Sequence, residues 1–240
     1  MTPVGRPVLV VRPEPAASTT VALLGRDGVP AIACPPSVIV PNDPMPIPPA
    51  DAEAVVLTSA RAAEVLGDAL AMHRVYCVGD RTAAAAREAG ASSVVSADGD
   101  GAALIALLRQ APETRLFHAR GAHAAVDLAA ALHGAGKRIE TGIVYTAVAE
   151  DRLPAPARDA LAAGRVGVIA VWSVRGAELF VAALGREAPA SQAVARAAHG
   201  VAISLAVREP LAAAIDRVAV ANAPTGPAMI TAVIAAVSTV

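Results

Sequence analysis

Val-Val-Leu-Thr-Ser-Ala-Arg-Ala-Ala-Glu-Val-Leu, residues 55–66, returns in altered form at residues 169–180 as Ile-Ala-Val-Trp-Ser-Val-Arg-Gly-Ala-Glu-Leu-Phe. Each copy starts with a short aliphatic run that suits a buried strand and passes through a serine into a helical pattern. Ser-x-Arg-x-Ala-Glu is shared at equal spacing. The segments downstream of each copy also keep the same order. Val78-Gly79 and Ile203-Ser204 each open a helix, and Val94-Val95 and Val218-Ala219-Val220 each precede another. A sequence that repeats strand, serine, helix, strand in this order implies two related α/β halves.

Working outward from the first copy, strands and ten-residue helical patterns alternate from Ala54 to Val148. The strands are almost continuously apolar, as expected for parallel sheets covered on both faces. Toward the N-terminus, Val8 to Val11 reads as a strand and is followed by a helix ending at Arg26. Ala31 to Val40 holds strand material broken by Pro35 and Pro36, which donate no ladder hydrogen bond. Pro41 to Pro49 then reads as an extended linker or surface loop. On the far side, Pro154 and Pro156 mark a second crossing, beyond which Val168 to Val171, Val201 to Ser204 and Val218 to Ala221 read as strands. Arg186 to Ser191 reads as loop. The fold class is therefore α/β, with two parallel-sheet domains, one inserted in the other. Residues 1–35 with 152–240 form the discontinuous outer domain and 36–151 the inserted one, with crossings near 35–50 and 148–156. In this arrangement the strand Val8 to Val11 joins the sheet of Val168 to Val171 and Val201 to Ser204.

The chain has 240 residues, enough to bury roughly 70% of its unfolded surface. It is 55% hydrophobic and only 2% aromatic, so its core is built from Ala, Val, Leu and Ile. With 20 basic and 21 acidic residues the net charge is -1, which provides no basic field for nonspecific nucleic-acid binding. Cys34 and Cys77, the only cysteines, sit in or beside apolar runs and read as buried free thiols in a reducing compartment. The N-terminus has no signal-type apolar core, and the apolar tail from Pro227 to Val240 is too short to cross a bilayer. A cytoplasmic protein without membrane contact is expected.

Ligands of open α/β sheets collect beyond the carboxyl ends of the strands. The polar residues expected there are Arg12, Thr58, Ser59, Arg61, Asp80, Arg81, Thr82, Arg120, Gly121, Tyr145, Ser173, Arg175 and Ser204. Each has a plain structural reading beside the functional one. Ser59, Ser173 and Asp80 suit helix caps, and Arg81 and Arg175 suit solvated helix faces. Taken together, several helix starts and forked arginine donors suit a polyanionic small molecule. A Gly-x-x-x-x-Gly-Lys phosphate loop, a Gly-x-Gly-x-x-Gly turn and a Gly-x-Ser-x-Gly elbow are all missing from the sequence. The five histidines, with His118 and His123 the nearest pair, show no metal-ligand spacing, so no metal site is expected.

The order of motifs along the chain resembles the uroporphyrinogen-III synthase family over nearly its whole length. The residues that carry the resemblance are Val10-Val11-Arg12-Pro13, Leu57-Thr58-Ser59, Val78-Gly79-Asp80-Arg81-Thr82-Ala83, Arg120-Gly121, Val144-Tyr145 and Ala223-Pro224-Thr225. The resemblance implies a cofactor-independent cyclising lyase of tetrapyrrole synthesis, cytoplasmic and usually monomeric, making transient contacts with the preceding or following pathway enzymes. Its substrate would be hydroxymethylbilane, a linear tetrapyrrole polycarboxylate. The terminal hydroxyl departs to leave an azafulvene on ring A, and a spiro intermediate then inverts ring D. The resemblance makes Tyr145 the proton donor to the departing hydroxyl. Substrate contacts are expected from the strand-end residues Arg12, Thr58, Ser59, Arg61, Arg81, Thr82, Arg120, Gly121, Ser173, Arg175 and Ser204, and the family chemistry makes domain closure useful for excluding water. The competing reading of Tyr145 is a ring packed at the crossing. Departures from the family pattern at Trp172-Ser173-Val174-Arg175 and Ile203 to Val207 keep a second reading open, a noncatalytic tetrapyrrole-binding protein on the same scaffold.

Overall fold

The computed structural model describes residues 5–122 and 127–239, so His123, the first four residues and Val240 lie outside the description. In chain order the first elements are β1 (Val8–Val11), α1 (Ala16–Arg26), β2 (Ala31–Ala33) and β3 (Ser37–Pro41). There follow β4 (Ala54–Leu57), α2 (Ala60–Leu66), β5 (Arg74–Cys77), α3 (Asp80–Glu88), β6 (Ser93–Ser96), α4 (Gly101–Gln110), β7 (Arg115–Gly121), α5 (Leu128–Ala131) and β8 (Arg138–Ala149). The last third comprises α6 (Ala155–Ala162), β9 (Val168–Val171), α7 (Val174–Leu184), α8 (Pro189–Ala197), β10 (His199–Ala202), α9 (Leu205–Leu211), β11 (Arg217–Val220) and α10 (Gly226–Val237).

The chain divides into two compact units: Met1–Val38 with Val148–Val240, and Ile39–Ala147. Both changes of unit fall inside strands, β3 and β8. The proline-rich stretch 41–49 thus lies within the second unit, where Asn42 is bonded to β8 through Val144 and Ile143.

The first unit holds a five-stranded sheet in the order β11-β10-β9-β1-β2, all of whose pairs are parallel. Its central strands β1 and β9 are buried on both faces. Leu9, Val11, Ile169 and Val171 pack into a cluster with Phe180, Leu161 and Leu211 from α7, α6 and α9. The alternating residues Val8, Val10, Val168 and Ala170 pack with Leu24 of α1 and Met229 and Val233 of α10. A period of two along each strand, with both sets apolar, is why these runs read as continuous rather than alternating.

The second unit repeats the plan with a six-stranded sheet, β3-β8-β7-β4-β5-β6. Val55 and Leu57 of β4 face Ala62, Leu66 and Ala83 of α2 and α3, whereas Ala54 and Val56 face Leu104, Leu108 and Leu128 of α4 and α5. In each sheet the strand order reverses at a central strand pair, β1/β9 in the first unit and β4/β7 in the second. Crevices that receive ligands in doubly wound sheets open at such reversals.

Two sequence expectations are corrected. Residues 186–191 are not all loop, because α8 starts at Pro189; a proline in the first turn of a helix loses no bond the helix needs. Asp80 does not cap α3: Gly79 holds the cap position and Asp80 is already helical.

Candidate functional site

In the second unit the reversal between β4 and β7 brings the carboxyl ends of both strands side by side, with Leu57 opposite Ala119. Thr58 and Ser59 continue from β4, Arg120 and Gly121 end β7, and Tyr145 lies opposite Gly121 on β8. Ser59 adopts extended backbone at the cap of α2, and its Oγ accepts from the Arg61 N–H at 3.2 Å. The same Oγ lies 3.0 Å from the Tyr145 hydroxyl, and either can donate.

Tyr145 reaches Ser59 over Gly121, which has no side chain, at a point where β8 carries one extra residue, Val144, between the partners of Arg120 and Gly121. A Cβ on Gly121 would sit 2.6 Å from the Tyr145 ring and 2.8 Å from its hydroxyl. Gly121 is therefore a close-approach glycine. The Arg120 guanidinium turns back to donate to the carbonyls of Gly121 (3.3 Å) and Ala122 (3.4 Å), and the Ala122 N–H donates to the Tyr145 carbonyl at 3.0 Å. On the far side of β8, Asn42 Nδ2 donates to the Ile143 carbonyl and the Thr146 hydroxyl donates to Asn42 Oδ1, at 2.8 and 3.0 Å. The tyrosine carbonyl is held from the β7 side, and its β8 neighbours Ile143 and Thr146 are held by Asn42.

Behind this pair lies His118, fully buried, with Nε2 at 3.2 Å from Thr58 Oγ1. Burial, followed by the Arg120 charge, lowers its pKa from 6.5 to about 4, against a smaller opposing effect of Asp127. The imidazole is neutral at physiological pH.

The sequence candidates divide clearly. Thr58, Ser59, Gly121 and Tyr145 form one constellation, to which Arg61 contributes its backbone N–H. The Arg61 side chain is paired with Glu64, one turn along α2. Arg81 is exposed at the start of α3 and Thr82 is buried beside it. The other four candidates belong to the first unit. Ser173 caps α7 by accepting from the Gly176 N–H at 3.0 Å, Arg175 is exposed on the first turn, and Ser204 precedes α9 without a side-chain cap bond. Arg12 follows β1 at the other reversal point, its Nη1 donating to Thr20 Oγ1 at 3.1 Å and its guanidinium 5.4 Å from the centre of the Trp172 ring. There it lines a groove of about 580 Å³ together with Leu23, Trp172, Ile230 and Ile234. Val207 belongs to the core, whereas Leu205 is exposed.

His118 and Asn42 were not singled out as site residues by the sequence. A strand-period argument finds the first: Phe117 and Ala119 face one core cluster, so His118 shares the opposite, equally buried face with Leu116. A lone polar residue on such a face needs a partner. Nothing local marks Asn42, whose partners are 101 and 104 residues away. Among the described residues no group of three or more His, Cys, Asp or Glu is placed to hold a metal ion, and no helix is long and apolar enough to cross a membrane.

The family profile described as uroporphyrinogen-III synthase HemD (HEM4) matches residues 18–231. No curated protein matches the sequence significantly. Among solved structures, uroporphyrinogen-III synthetase from Helicobacter pylori is similar with a TM-score of 0.59 and 14% identity, covering 96% of this chain and 99% of its own. A mutant uroporphyrinogen III synthase from Thermus thermophilus has a TM-score of 0.46 and 18% identity, covering 99% and 100%. At 14% identity the first likeness speaks to the fold.

Proposed function

The chain belongs to the uroporphyrinogen-III synthase family, a family of cyclising lyases, and from that premise we propose that Tyr145 is the acid that protonates the departing hydroxyl. The enzyme closes hydroxymethylbilane to uroporphyrinogen III with loss of water and inversion of ring D. The observation that carries the assignment of Tyr145 is its 3.0 Å contact with Ser59 Oγ over the bare backbone of Gly121.

The phenol enters the reaction as a hydrogen-bonded proton donor to the departing oxygen. In the resting site the hydroxyl pair shares its protons. When the C–O bond of the hydroxymethyl group breaks, the electron pair leaves with oxygen, and the phenol supplies the proton that makes it water. Ser59 Oγ, already accepting from the Arg61 N–H, can then turn its own proton toward the phenolate. That switch stabilises charge developing in the transition state, where preorganised donors act most strongly. The proton released when the pyrrole system regains aromaticity restores the phenol.

The remaining work is positioning. The bilane closes without inversion when unassisted, so its folded geometry has to be held against that competing route. We assign contacts with the substrate carboxylates to Arg12, Arg81 and Arg175, which follow the carboxyl ends of their strands. Arg61 and Arg120 act on the protein itself, through Glu64 and through the carbonyls of Gly121 and Ala122. The reading includes a cytoplasmic monomer; its buried free thiols Cys34 and Cys77, each with its pKa raised by burial to about 12, suit a reducing compartment.

Single-turnover kinetics of Tyr145→Phe on freshly generated hydroxymethylbilane tests the assignment. The account expects a loss of about 10- to 10,000-fold in the chemical step, the span of general acid catalysis. Wild-type turnover at saturating substrate by a correctly folded variant would remove Tyr145 from the chemistry.

A further inference from the structure

The buried imidazole of His118 is not explained by packing alone. It replaces what would be an aliphatic side chain on the β7 face shared with Leu116, next to Val56 of β4. Holding a polar ring there costs free energy unless it is bonded, and the bond is made to Thr58, the residue that joins β4 to Ser59. His118 Nε2, Thr58 Oγ1, the peptide to Ser59, Ser59 Oγ and Tyr145 Oη succeed one another at bonding distances. The contact is also the side-chain link between the two strands at the reversal point, where β4 and β7 end.

We propose that His118 is a positioning residue for the cyclisation: by fixing Thr58 it sets the turn that presents Ser59 Oγ to the Tyr145 hydroxyl. The charged groups acting on the ring are Arg120, on its own strand, and Asp127, before α5; the first outweighs the second, and the ring stays neutral throughout the working pH range. Its task is a hydrogen bond, not a proton transfer. Any neutral side chain that places a donor and acceptor near the Nε2 position should do it. A glutamine amide reaches that position, while an asparagine amide stops near Nδ1 and falls short of Thr58.

This inference rests on the Ser59–Tyr145 site and is tested separately from it. Purified His118→Leu, His118→Gln, His118→Asn, Thr58→Val and the double variant His118→Leu/Thr58→Val are compared on hydroxymethylbilane. kcat, KM, the type III to type I product ratio and thermal unfolding are measured for each. A misplacement of the reacting groups on the ångström scale costs up to about 100-fold. The expected result is a fall in kcat of about 10- to 100-fold for His118→Leu and Thr58→Val, with little change in KM and a larger share of type I product. Glutamine restores most of the rate and asparagine does not, and the double variant is no worse than either single one. Wild-type kcat in folded His118→Leu, or losses that multiply in the double variant, would overturn the proposal. Should His118→Leu not fold, Thr58→Val and the glutamine–asparagine contrast decide the matter alone. A silent Tyr145→Phe would refute the proton donor and with it this route to the hydroxyl, whereas a large Tyr145→Phe loss beside wild-type kcat in folded His118→Leu and Thr58→Val would refute the positioning role alone.

Discussion

The pairing of Tyr145 with Ser59 depends on an atom that is missing, the Cβ of residue 121. Gly121→Ala would drive a methyl into a ring held by β8 and force Tyr145 away from Ser59. We expect turnover to fall at least about tenfold, with a modest decrease in Tm, since overpacking typically costs about 1–3 kcal/mol. Steady-state kinetics and thermal unfolding of the purified variant check this. His118 adds a pH dependence of stability. In the folded chain it takes up a proton near pH 4, in the unfolded chain near 6.5. Between these values the unfolded state binds more protons, so stability is lost as pH falls through this window and is unaffected by His118 above it. The span corresponds to about 3 kcal/mol at full protonation. Urea unfolding between pH 4 and 7 should show a shallower slope for His118→Gln than for wild type; equal slopes would contradict the buried neutral ring. Of this site, Ser59 was legible in sequence because it stands where a strand gives way to a helix, and Tyr145, which lies within β8, through the family resemblance at Val144-Tyr145. The contact between them was not, since it spans 86 residues and sits at a register shift between β7 and β8, where Gly121 faces Tyr145.

Caps and reversal points explain where the elements place these residues. Ser59 and Asp100 both cap helices of the second unit, the first through Arg61 and the second by accepting from Ala102 and Ala103 at 2.9 and 3.1 Å. Replacing either by alanine removes a cap worth about 1 kcal/mol. The two variants should therefore lose similar Tm, while Ser59→Ala alone loses turnover, because only Ser59 touches Tyr145. Parallel melting and rate measurements distinguish a shared structural role from a catalytic one. The strands and most helices were readable from apolar runs and from the echo between residues 55–66 and 169–180. The exception, α8, was obscured by Pro189, which marks a helix start as readily as a loop. The pairing order of the strands is not contained in any local pattern. It emerges once β1 is seen between β9 and β2, fully buried and with every residue apolar.

For the whole molecule, the consequence of this threading is that the first unit needs both ends of the chain. β1 is an interior strand, and its removal would split β2 from β9 and expose a sheet edge. The chain passes between units through β3 and β8, and the segments beside them are not equally secured. Residues 43–50, between the bonds of Asn42 to β8 and those of Asp51 and Glu53 to Arg115, contain Ile47, 62% exposed, whereas 150–153 are tied down by Arg152 to the buried Glu187 (2.7 Å) and by Arg186 to the Asp151 carbonyl (2.9 Å). Limited proteolysis should cut first near Ile47 and later around Asp151, as fragment masses would reveal; the opposite order would show that these ties do not hold the second segment. The reaction at issue is the closure of a linear tetrapyrrole with its last ring inverted. The most direct test is isomer-resolved analysis of the products formed when the purified protein meets freshly generated hydroxymethylbilane, beside a reaction without protein. The account predicts predominantly type III uroporphyrinogen against type I in the control; an isomer distribution identical to the control would contradict it.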